Sequence, residues 1–137
     1  MNVSSRCVYA YLAVLELATH NTPKTPLQAE AIAERRGIPE KFLGQILTQL
    51  KHAGIVSSMR GAKGGYRLAK LPHHISLLDI ITAVEGPIFE SIPAESGGGD
   101  ECWAVWHQAA DSIRQELGNI RIQRVVDDNV QRKMFYI

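Results

Sequence analysis

An apolar stripe of helical period runs straight into a basic, glycine-tipped hairpin, and few folds accept that succession. Leu43, Ile46, Leu47 and Leu50 recur at i, i+3, i+4 and i+7, which marks a helix with one buried face. Lys41, Gln45, Thr48, Gln49 and His52 fall on the opposite face, which is polar and rich in hydrogen-bonding groups. The helix is expected to follow Pro39, a residue suited to a first turn, and to stop near Ala53 and Gly54. Directly after it, Ile55 to Met59 and Tyr66 to Ala69 read as two strands joined by Arg60-Gly61-Ala62-Lys63-Gly64-Gly65.

Two helices precede this unit. Ser5 to about His20 is apolar on more than one side, through Val8, Tyr11, Leu12 and Leu15 and through Ala10, Ala13, Val14 and Leu17, so it is expected in the core. Asn21 to Pro26 is a loop punctuated by two prolines. A short helix follows from about Leu27 to Arg36, with Gly37 as its stop. After the hairpin, Ser76 and Asp79 form a capping-box pattern for a helix that ends near Gly86. Helix, short helix, amphipathic helix and basic hairpin is the order of a winged helix-turn-helix, so the fold class is mainly α with a small β-hairpin.

The remainder divides into a linker and a long helix. Residues 87–100 include Pro87, Pro93 and Gly97-Gly98-Gly99 and read as a flexible linker or sensor loop. From about Asp100 to Leu117, the residues Trp103, Trp106, Ala110, Ile113 and Leu117 step by three and four in a heptad-type seam. Two tryptophans on one seam are costly to leave in water, so the helix is expected to pair with the same helix of a second chain. Arg121 onward reads as a polar tail. The expected organisation is a winged domain over 1–86, the linker over 87–100, and a dimerisation helix with C-terminal tail over 101–137.

Charge adds direction. The 137 residues carry a net +1, but residues 24–70 hold nine basic groups against three acids, a net +6. The rest of the chain is acidic, at −5. One region therefore faces a polyanion. No stretch approaches the ~20 apolar residues of a membrane span. The start of the chain has no pattern of a secretory signal, and two cysteines make no disulfide framework, so a cytoplasmic setting is expected.

These features point to double-stranded DNA. Lys41, Gln45 and Thr48 on the third helix would enter the major groove, where such side chains read base edges. Arg60 and Lys63 at the hairpin tip would reach a flanking minor groove, where narrow geometry concentrates negative potential. Lys51 and Arg67 would hold phosphates. An enzyme is not expected: Gly61-x-x-Gly64-Gly65 lacks the Gly-Lys-Ser/Thr of a phosphate loop, and no nucleophilic triad has a recognisable context. The alternative is a cluster-free adaptor or a regulator controlled by a protein partner. Steep salt dependence on DNA would mark the regulator, and weak uniform binding the adaptor.

Several motifs together carry a resemblance. Ile32 to Pro39, Phe42 to Leu47, Leu50 to Ser58, Arg60-Gly61-Ala62-Lys63-Gly64-Gly65-Tyr66-Arg67-Leu68, and Ile75 to Ile81 with Val84-Glu85-Gly86 resemble the bacterial Rrf-type transcription regulators, an IscR/NsrR/CymR-like family. The match is close over residues 1–86 and loose over 100–128. It implies a homodimer with crossed long helices, each winged domain reading half of a roughly palindromic operator, most simply as a repressor. Many relatives carry Glu where this chain has Gly44, so their operators do not transfer.

The resemblance also raises an iron–sulfur cluster. Cluster-binding relatives have cysteines in and around the loop before the dimer helix, and some take a further ligand from the partner's first helix. Here residues 89–101 contain no cysteine, and the position matching that further ligand is Val8. Cys7, Cys102 and His107 are the candidate ligands of an atypical cluster. His107 lies about 140° round the helix from Cys102, which makes no obvious chelating pair. Three readings stand open: packing cysteines with no cofactor, a thiol switch through Cys7 and Cys102, and the atypical cluster.

Overall fold

The computed structural model describes residues 3–20, 25–89 and 100–135. Helix α1 (Ser5–Thr19) runs through the middle of the core. Ser4 caps it, its hydroxyl accepting from the Cys7 amide at 3.1 Å. Ala10, Ala13 and Val14 are fully buried, and α1 packs against α2 (Ala29–Arg36), α3 (Glu40–His52), α4 (Leu77–Glu85) and α6 (Ile122–Phe135). Glu16, the one acid in this apolar helix, is also buried. Arg36 of α2 meets it, with Nε 3.4 Å from Oε1, so the buried carboxylate has a counter-charge.

The turn from α2 into α3 passes through Gly37 at φ +64°, a left-handed position that glycine occupies without strain. Helix α3 then buries Leu43, Ile46, Leu47 and Leu50, the stripe expected from the sequence. Strands β1 (Val56–Met59) and β2 (Gly65–Leu68) pair antiparallel, with Val56 opposite Leu68 and Met59 opposite Gly65. A capping box between Ser76 and Asp79 opens α4, as its sequence implied. The whole is a winged helix-turn-helix, with the long helix α5 (Asp100–Asn119) following α4.

Two elements depart from expectation. Helix α2 begins at Ala29 rather than Leu27, because Leu27 is extended and exchanges backbone hydrogen bonds with Tyr66 at 2.9 and 2.7 Å. Leu27 thereby ties the hairpin to the helical body. The supposed tail after Arg121 is instead helix α6. It enters through a bridge between Ser76 and Arg121: the Leu77 amide donates to the Ile120 carbonyl and the Ile122 amide to the Ile75 carbonyl, both at 2.9 Å. Ile122 is fully buried in the core of the winged body. Most of the expected linker, residues 90–99, lies outside the described residues. Among the described residues, no helix is long and apolar enough to cross a membrane.

Candidate nucleic-acid interface

Burying one face of α3 fixes the other outward. Lys41, Gln45, Thr48 and His52 are exposed together on that outer face. Two of these side chains have local ties. The Thr48 hydroxyl donates to the Gly44 carbonyl at 2.9 Å, so in this rotamer its lone pairs, not its proton, face outward. The Lys41 ammonium lies 4.9 Å from the centre of the Phe42 ring. Gly44 leaves a smooth patch between them, where an added Cβ would meet nothing within 4 Å.

Lys51, on the last turn of α3, donates to the Ser58 hydroxyl of β1 at 2.7 Å and so bridges the helix to the hairpin. Arg67 of β2 leans across to Ser57, Nε to Oγ 3.4 Å. Arg60 and Lys63 are exposed in the connection between the strands. The glycines there have a steric task. A Cβ on Gly64 would collide with the Met59 carbonyl, and one on Gly65, at φ +145°, with the Leu27 carbonyl. The hairpin closes and docks only because both positions lack a side chain. Helix α3 and the hairpin thus present the five cations Lys41, Lys51, Arg60, Lys63 and Arg67, a surface suited to a phosphate backbone.

Composition alone missed Arg6. It sits on the first turn of α1, away from the basic segment, yet its Nη2 donates to Gln49 Oε1 of α3 at 2.7 Å. Tyr9, one turn on, stacks on Phe42 with ring centroids 6.0 Å apart. The spacing of Arg6 and Tyr9 showed that they share a helix face, but nothing local told which neighbour that face meets.

The seam residues of α5 do not share one environment. Ala110 is buried at 2% exposure, and Ile113 and Leu117 are half-buried, on a helix that packs against α4. Trp106 is 60% exposed and its neighbour Val105 67%. Trp103 is half-buried, and its indole N–H is buried with no hydrogen-bond partner among the described residues.

The candidate metal ligands are not brought together within the chain. Cys7 is buried at 5% exposure, whereas Cys102 and His107 are exposed on α5. Burial, and then the charge of Glu85, push the Cys7 thiol up from its ordinary pKa, which disfavours the free thiolate that disulfide exchange requires. Among the described residues, no group of three or more His, Cys, Asp or Glu side chains is placed to hold a metal ion.

Comparison with known proteins agrees with this geometry. The family model Rrf2, described as an iron-dependent transcriptional regulator, matches residues 3–128. The HTH-type transcriptional regulator IscR of Vibrio campbellii is 33% identical over 138 residues, covering 94% of this chain and 79% of that protein. The solved structure of CymR, the global cysteine regulator of B. subtilis, superposes with a TM-score of 0.77 at 29% identity, covering 93% of this chain and 97% of the other. That of T. potens IscR gives 0.76 at 32% identity, covering 94% and 88%. Iron is the one point of disagreement. A chain with two cysteines, one of them buried, does not by itself supply the thiolate set of an iron–sulfur cluster.

Proposed function

The chain belongs to the Rrf2 family of transcription regulators, and from that membership we propose that it binds double-stranded DNA as a homodimer and represses transcription by occupying a two-fold operator. The observation that carries this reading is the outward face of α3 beside a docked basic hairpin. Lys41, Gln45 and Thr48 read base edges or adjacent phosphates, and Arg60 and Lys63 hold the flanking groove. Lys51 and Arg67 hold phosphates from the junction of helix and hairpin.

Dimerisation is supported by α5. Trp106 and Val105 offer an apolar surface that nothing among the described residues covers, and the Trp103 N–H has no partner among those residues, a donor that an acceptor on a second chain would satisfy. A two-fold dimer places two α3 helices about one helical turn of DNA, or a multiple of it, apart. Selection from a pool of random duplexes tests this. The expected result is enrichment of two related half-sites in inverted orientation. Recovery of a single unpaired site, or of no preferred sequence, would contradict the two-fold reading.

A further inference from the structure

The hairpin has a second side. Strand pairing sets Ser57 opposite Arg67 and Ser58 opposite Tyr66, and successive strand residues point to opposite faces. Lys51 of α3 touches Ser58, so Ser57 and Arg67 lie on the face turned away from that contact. Together with the end of α1 and residues 69–72, they line a cleft of about 550 Å³, a volume in the range of small-molecule sites. Leu17, Leu27 and Pro72 are the buried apolar part of its wall. Leu71 beside them is 62% exposed.

The charge in the cleft has one sign. Arg67 and Lys70 line it, no described lining residue is acidic, and residues 21–24, which join His20 to Thr25, hold no acid. The carboxyl end of α1 brings only partial negative charge. His20 adds a donor. Its Nδ1 lies 3.0 Å from Arg35 Nη1, and a guanidinium can only donate, so Nδ1 accepts and Nε2 carries the proton. Arg67 is steered by Ser57, Nε to Oγ 3.4 Å, and among the described residues nothing engages its Nη pair, a fork that matches a planar carboxylate. A DNA phosphate would satisfy these cations but leave Leu71 in water. A molecule with an apolar body satisfies both.

We propose that this cleft binds a small amphipathic anion, an apolar chain or ring carrying a carboxylate, and that occupancy weakens DNA binding. The carboxylate sits on Arg67 and Lys70, and the apolar body covers Leu71. A carboxylate on the Arg67 guanidinium excludes a DNA phosphate from it. The competition, though not the site, rests on Arg67 being a phosphate contact.

Calorimetry of the full chain with octanoate, octylamine and inorganic phosphate, without DNA, tests the site. Octanoate is expected to saturate at one per chain, with the amine and inorganic phosphate each binding about tenfold or more weakly. Arg67→Gln, at an exposed position, should weaken octanoate by roughly fivefold or more. Ala69→Trp, also exposed and lining the cleft, should fill it and abolish binding while the helical circular dichroism is retained. Octylamine or inorganic phosphate binding as tightly as octanoate, no saturable binding, or unchanged binding in either variant would overturn the site. The competition is read by DNA affinity on a mixed-sequence duplex. Octanoate should lower it about threefold or more in the parent chain and not in Arg67→Gln. Saturable octanoate binding with unmoved DNA affinity would overturn the competition alone. A chain that binds octanoate but no DNA would overturn the competition together with the DNA-binding reading, while the calorimetry upheld the site.

Discussion

Single residues carry unequal consequences in this chain. Gly44 sits inside α3 in open space, so it contributes the conformational freedom of glycine to the unfolded state and no packing to the folded one. Gly44→Ala is therefore expected to stabilise the protein by roughly 0.5–1 kcal/mol in urea unfolding, and a loss of stability would show that the site is crowded. Cys7 behaves differently. Its folded pKa is raised above the unfolded value, so its contribution is fully present below the unfolded thiol pKa and is lost as pH rises through the folded one. Unfolding measured across the alkaline range should show this loss in the parent chain and not in Cys7→Ala. Identical pH profiles would mean that burial does not perturb the thiol. Some residue roles were legible in the sequence and others were not. The stripe Leu43, Ile46, Leu47 and Leu50 declared its burial by spacing alone. The pairing of Glu16 with Arg36 and of Arg6 with Gln49 joins separate helices, and no local pattern encodes such a contact.

At the scale of elements, local signals predict boundaries well where the cap is chemical. Ser76 and Asp79 fixed the start of α4, and Gly37 the end of α2. They fail where tertiary hydrogen bonding decides. Leu27 has helical neighbours but is drawn into pairing with Tyr66. Helix α6 was hidden because Asp127, Asp128 and Asn129 dilute a sparse stripe, and the bridge at Arg121 that anchors it joins residues far apart in sequence. The hairpin is the element on which function turns. Arg60→Ala should weaken operator binding by at least several-fold at fixed salt, and unchanged affinity would remove the hairpin from the interface. Gly65→Ala should act on the same element by another route. Its methyl group collides with the Leu27 carbonyl and undocks the hairpin, so DNA binding should fall while the helical circular dichroism is retained. Retained binding would show that docking is dispensable.

The whole molecule depends on what α5 meets. Within one chain the helix is half satisfied, with Ala110 buried toward its own body and Trp106 facing out. A heptad pattern shows which residues align but not which of two partners each one meets, so this division of the seam was not legible. Trp106→Asp should yield monomers in sedimentation, and a persistent dimer would place the interface elsewhere. DNA binding by this chain turns on α3 and the hairpin forming one surface. Salt dependence of duplex binding tests it most directly, comparing the parent chain with the Arg60→Ala, Lys63→Ala double variant. The prediction is a steep log–log decline of affinity with salt that becomes shallower by about 1.8 per chain in the variant. Weak binding that hardly responds to salt, and is identical in the variant, would contradict it.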